Sequence, residues 1–161
     1  MPHRPAATGP RVPTLEETEI IGLIPLLQSH LSRAWDDMSG DLRAHFEAHG
    51  LTARHGAVLP QLLAEQPLTV SELARRMRLS LSTASELVGA LSRSGLVERG
   101  EDPANRRRTL VSIAPRHRPA LEEFIARRSA PLLRALDGLS AQDRAGFHAG
   151  LTAWVREVQA R

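Results

Sequence analysis

Three consecutive arginines, Arg106, Arg107 and Arg108, sit in the stretch RGEDPANRRRTLVSI at residues 99–113. Adjacent like charges repel, so a cluster of this kind is stabilised when a stronger anion neutralises it. The guanidinium group presents a planar fork of donors that suits phosphate oxygens and base edges, whereas an ammonium acts as a point charge. All the side-chain cation of this chain, histidine aside, is guanidinium: 21 Arg and no Lys. An arginine run in a loop is usually just a solvated surface, so its meaning depends on what lies beside it.

The charge is unevenly spread. Residues 1–70 hold 5 Arg against 8 acids, residues 71–118 hold 10 against 5, and residues 119–161 hold 6 against 5. The positive field therefore lies in the middle of the 161-residue chain, a length that suits one packed domain. A polyanion bound at the middle segment is the expectation.

Just before the arginines runs PLTVSELARRMRLSLSTASELVGALSRSGLVERG. Thr69 and Glu72 have capping-box spacing and open a short helix that buries Leu73, Ala74 and Met77. The chain restarts at Ser80, a good N-cap, and stops at Gly95. At about 100° per residue, Ala84, Leu87, Val88 and Leu91 share one face of this second helix. Ser82, Ser85, Glu86, Gly89 and Arg93 share the opposite one. Two short helices with a tight connection, the second apolar on one side and small and polar on the other, read as a helix-turn-helix. Such a helix fits the major groove of DNA. Ser80, Ser82, Thr83 and Ser85 near its N-terminus can bond bases or phosphates, Glu86 can accept from cytosine, and Gly89 lets the backbone come close.

The arginine run now has a place. Leu96-Val97 and Val111 with Ile113 have strand character, and Gly100 to Arg107 reads as the hairpin loop between them. A hairpin after the second helix is a wing, whose tip arginines can enter a flanking minor groove. The fold class expected is mainly α with a small β-hairpin wing.

The remaining segments must hold this head. Thr14 and Glu17 form a capping box, and Ile24, Leu27, Leu31, Trp35, Met38, Leu42 and Phe46 recur at helical spacing, which predicts one buried stripe on a long helix over 14–49, with Pro25 as a kink or a restart. A second helix over 53–65 should bend at Pro60, whose ring crowds the carbonyl of Gly56. After Pro115 a helix interrupted near Pro131 is expected, and then one from Ser140 that buries Phe147, Leu151, Trp154, Val155 and Val158. Residues 1–13, with four prolines, read as a disordered arm.

Several functions are excluded. The absence of cysteine removes disulfides and thiolate chemistry. No nucleophile paired with a base, no carboxylate pair and no phosphate-binding glycine loop points to an enzyme or a cofactor. The apolar run Ile20 to Leu27 is too short to span a bilayer, so a cytoplasmic protein is expected. His45 and His49 are four apart with His55 nearby, but the pattern lacks Glu directly after the first His, and no metal is expected.

With helix-turn-helix and hairpin in place, the chain from about Leu23 to Val158 resembles the MarR family of winged-helix transcriptional regulators. The matching residues are GLT at 50–52, the segment 67–99 within the stretch quoted above, and DPANRRRTLVSIAP at 102–115, similar to a wing motif Asp-Pro-x-Asp-Arg-Arg. The resemblance implies a homodimer held by N- and C-terminal helices, here about 14–49 and 115–160, around a winged helix at about 53–114. It implies two recognition helices in successive major grooves of a pseudo-palindromic double-stranded DNA, with Arg106 as the wing arginine of the minor groove and Arg107 next to it. It further implies a repressor relieved by a small aromatic or lipophilic effector. Trp35, His55, Gly56 and Pro60 are the candidate lining of the effector pocket, although packing is the plainer reading of the Gly56–Pro60 bend and of Trp35. Three departures stand out. Glu86 replaces a frequent Arg or Lys, Asn105 replaces the wing Asp, and Gly56-Ala57 fill positions often aromatic or polar. Urate-responsive members have Asp at the Ala57 position and Arg at the Glu86 position, which argues against urate here. Glu86 also supports a rival reading, a winged-helix dimer that works mainly through protein contacts with weak DNA affinity.

Overall fold

The computed structural model describes residues 11–160, apart from the side chains of Arg106 and Arg107. The chain divides between Asp36 and Asp37 into two units, each described by itself.

The first unit carries helix α1, Leu15–Ser32. Its N-terminus has the capping box expected from Thr14 and Glu17: the Glu17 N–H donates to Thr14 Oγ1 at 3.3 Å, and the Thr14 N–H donates to Glu17 Oε2 at 2.8 Å. Arg11 pairs with the same carboxylate, and these bonds hold Glu17 at about 2, far below its ordinary value. Pro25 lies within α1 without ending it. The expectation of one stripe on one long helix is corrected here. Helix α1 ends at Ser32, and α2, Gly40–Ala48, starts afresh in the second unit. The physical reason is local: Asp36, Asp37, Ser39 and Gly40 are poor helix formers, and Ser39 Oγ instead accepts the Leu42 N–H as an N-cap. Only Leu42 and Phe46 of the stripe are buried, while Leu27 and Leu31 are exposed.

In the second unit, α3 (Ala53–Gly56) and α4 (Leu59–Ala64) replace the single bent helix expected at 53–65. Pro60 sits in the first turn of α4, where a missing N–H costs nothing, so the bend is a break. Strand β1 is only Leu68–Thr69. Then come α5 (Val70–Met77), α6 (Leu81–Arg93), β2 (Val97–Asp102) and β3 (Asn105–Ile113). The sheet is antiparallel in the order β1-β3-β2, with Leu68 opposite Val111 and Val97 opposite Ile113. The hairpin is tighter than expected: only Pro103 and Ala104 lie between the strands, and Asp102 Oδ1 accepts the Ala104 N–H at 2.9 Å. A core of Leu62, Leu68, Leu73, Val88, Leu91, Leu96, Val111 and Leu121 lies beneath α5, α6 and the sheet.

A 3-10 turn, Pro115–His117, leads into α7, Arg118–Asp137. No interruption occurs at Pro131; α7 runs through it, with the surrounding residues exposed or half-buried rather than tightly packed. Ser140 caps α8, Ala141–Gln159, by accepting the Asp143 N–H at 3.1 Å. The expected burial along α8 is corrected. Phe147, Leu151, Trp154, Val155 and Val158 are 41–62% exposed in the single chain. The periodicity identified an apolar face but not what would cover it.

Candidate nucleic-acid interface

Helices α5 and α6 meet as a helix-turn-helix because each start and stop is chemically fixed. Thr69 Oγ1 accepts the Glu72 N–H at 3.2 Å, while Glu72 Oε2 accepts the Thr69 N–H and hydroxyl, each at 2.8 Å. These bonds, the backbone one foremost, lower the Glu72 pKa, and Arg76 and Arg108 add to the effect. Between the helices Arg78 adopts the left-handed conformation, φ 54° and ψ 40°, unusual for a side chain with Cβ. It allows the Leu79 N–H to return to the Ala74 carbonyl at 2.9 Å. Gly95 ends the next helix with φ 76°, for the reason that favours glycine at such stops.

The faces of α6 are as the spacing predicts. Ala84, Leu87, Val88 and Leu91 are buried, and Ser82, Ser85, Glu86 and Arg93 are exposed. Thr83 and Gly89 are half-buried. Ser80 is engaged as the cap: its Oγ accepts the Thr83 N–H at 3.1 Å, donates to Thr83 Oγ1 at 2.8 Å, and lies 2.9 Å from Ser82 Oγ. The first turn of α6 therefore offers a pre-ordered row of hydroxyls. A Cβ at Gly89 would stand 3.3 Å from Arg93 Nη1, so the missing side chain leaves room for that guanidinium to fold along the helix.

Helix-turn-helix and hairpin flank a groove of about 490 Å³ whose lining includes Glu72, Arg75, Leu81, Ser85, Arg99 and Arg108. Arg108 is exposed there. The expectations for the Arg106 and Arg107 side chains lie outside the described residues. Sequence reasoning missed Arg75, Arg99 and Leu81. Leu81 is 57% exposed although its spacing of three and seven to buried Ala84 and Val88 puts it in line with the stripe of α6, so periodicity gave no signal for it. Arg99 gave none beyond its charge, because strand alternation would turn it to the same side as buried Val97. A second cavity, of about 530 Å³, is lined by Arg54 and Arg78 with Ser80, Thr83 and the end of α8.

Trp35 belongs to the first unit. His55 caps α3, its Nδ1 accepting the Thr52 N–H at 3.0 Å, and burial followed by the charge of Arg54 lowers its pKa. Gly56 has only ordinary clearance, 3.7 Å from a would-be Cβ to Phe46 Cε1, and Pro60 is exposed. Among the described residues no group of three His, Asp or Glu is placed to hold a metal ion. No helix among them is long and apolar enough to cross a membrane.

Fold and face together define a winged helix-turn-helix. The sequence profile of the MarR family matches residues 49–108, which span α3 through the arginine run. An HTH-type transcriptional regulator of Bacillus subtilis, the uncharacterised YsmB, is 28% identical over 92 residues, covering 57% of this chain. The match spans 63% of that relative. Among solved structures, the PcaV transcriptional regulator of Streptomyces coelicolor, crystallised with its natural ligand, is 25% identical with a TM-score of 0.54, covering 91% of this chain and 98% of its own. A Staphylococcus aureus MepR variant bound to an oligodeoxyribonucleotide is 19% identical with a TM-score of 0.53, over 88% of this chain and 97% of its own, and supports the fold alone. The middle of the chain, residues 49–108, is thus similar to the MarR family, and the relative that it matches is described as a transcriptional regulator.

Proposed function

We propose that this chain is a dimeric, sequence-specific DNA-binding regulator, a repressor relieved by a small aromatic or lipophilic effector. One observation carries the DNA reading: the hydroxyl-bearing face of α6 stands exposed next to a groove in which Arg75, Arg99 and Arg108 converge. In this reading the exposed turn of α6 enters the major groove, where Ser82, Ser85 and Glu86 meet base edges and Leu81 meets a thymine methyl. Arg93 and the groove arginines hold phosphates, and Arg106 and Arg107 extend the wing toward the minor groove. The uncovered apolar face of α8 supports a second copy as partner. The effector rests on analogy with the ligand-bound PcaV structure, and Trp35, His55, Gly56 and Pro60 remain its candidate lining.

The test compares binding to the upstream intergenic DNA of the protein's own gene with binding to random duplex across a range of salt. A steep loss with salt and a clear preference for the upstream DNA are expected. A flat response without preference would overturn the reading and leave the protein-contact rival.

A further inference from the structure

Three histidine rings meet where α2 reaches the end of the reading helix. His45, in the last turn of α2, lies 4.4 Å from His49, the C-cap of that helix, and 4.9 Å from His117, centroid to centroid. His45 Nε2 is buried with no hydrogen-bond partner among the described residues. His117 Nε2 accepts from Arg116 Nε at 3.0 Å, a role open only to the neutral ring. Arg116 lies over Gly95: a Cβ there would stand 2.5 Å from its Nη2. The cluster thus joins α2, the turn that leaves α6, and the 3-10 segment before α7. No part of the DNA-facing surface uses it.

We propose that His45 and His117 form a proton-operated latch between α2 and the reading head, closed when neutral and released on protonation. The coupling to DNA rests on the function proposed above; the latch itself does not. A proton on His117 removes the acceptor for Arg116 and sets a second cation against that guanidinium. A proton on His45 places charge in a ring whose Nε2 is buried and unpartnered among the described residues, beside His49 and His117. The groups acting on His45 are His49 on its own helix, Arg116 on the 3-10 turn, and the backbone of Ser94 at the end of α6, which alone favours the charged ring. Those acting on His117 are His45 and Arg116. No carboxylate is among them.

Both pKa values fall below the ordinary 6.5, for each ring chiefly by burial and then by the neighbouring histidine. The unfolded chain therefore takes up protons first as pH falls. The stability held by the latch is complete above about 6.5 and is lost progressively below it.

The experiment uses the full chain. Thermal unfolding is followed from about pH 8 to about pH 5 for wild type, His45→Phe, His117→Phe, and His148→Asn as a control on exposed α8. Phe keeps the stacked ring and removes the proton site. Wild type and the control should lose about 3–5 °C more than either Phe variant on acidification. Ring-proton NMR on wild type covers a variant that fails to fold: the rings of His45, His117 and the distant His55 should titrate late, and the Ser94 and Gly95 amides should shift with the first two. Binding to upstream DNA should weaken several-fold over the same range in wild type and less in His45→Phe. Identical acid losses in wild type and both Phe variants would overturn the latch, as would Ser94 and Gly95 amides unmoved by the titration. If no DNA binding exists at any pH, the proposed function fails, while the unfolding and NMR results still decide the latch.

Discussion

The side-chain oxygen of Gln66 accepts the backbone N–H of Ile113 at 3.0 Å, tying the segment ahead of the helix-turn-helix to the root of the wing. Strand β1 is only two residues long, and Pro67 has no N–H to offer. The Gln66 amide extends the short ladder by one rung. Ile113 is buried, so loss of this acceptor strands a donor away from water. Gln66→Ala should cost about 1–2 kcal/mol. Thermal unfolding should then fall by about 2–8 °C, and an unchanged midpoint would show that water replaces the rung.

The groove arginines give a second expectation. If Arg75 and Arg99 neutralise phosphates, each replacement by Ala should reduce the slope of log affinity against log salt by about 1, with sequence preference largely retained. Ser85→Ala should do the opposite and alter preference more than slope. A DNA titration of the three variants at several salt concentrations distinguishes these outcomes. Equal slopes in wild type, Arg75→Ala and Arg99→Ala would place the phosphates elsewhere.

The parts legible in the sequence are those fixed by neighbours close in the chain. Thr69 with Glu72, Ser80 with its helix, and the Ala84, Leu87, Val88, Leu91 stripe each rest on contacts within one or two turns, and each appears as expected. Pro131 does not interrupt α7, and Pro25 does not restart the first helix, since α1 and α7 run through both. Strand β1 was invisible because two residues carry no period, and its partner β3 lies some forty residues away. Arg99 was overlooked because its position in the groove depends on how α5 and the hairpin come together. The apolar face of α8 was legible as a face, but its burial was not, because periodicity does not say which chain does the covering.

That face supports a prediction about assembly. Leu151 and Trp154 are 44% and 49% exposed along with three further large apolar residues of α8, apolar surface that a partner would cover favourably. With the dimer proposed above, the double variant Leu151→Glu, Trp154→Glu should shift the molecule from dimer to monomer by light scattering. Its far-UV circular dichroism should hardly change, since the mutated side chains have little to lose within one chain. A dimer that survives both charges would place the interface elsewhere.

Gly89 separates folding from recognition. An Ala there meets only the far end of a flexible side chain, Arg93 Nη1 at 3.3 Å, so the guanidinium must swing away while the backbone need not move. Replacing Gly within a helix adds about 0.5–1 kcal/mol of stability. Gly89→Ala should therefore raise the unfolding midpoint by a few degrees. In the proposed docking the same methyl group stands toward the major groove and displaces Arg93, so affinity for the preferred DNA should fall by about tenfold, the loss expected of one good contact. Calorimetry and a binding titration on one preparation check both signs. A variant that is more stable and binds equally well would mean that α6 does not approach DNA closely at this turn, and would remove Arg93 from the interface.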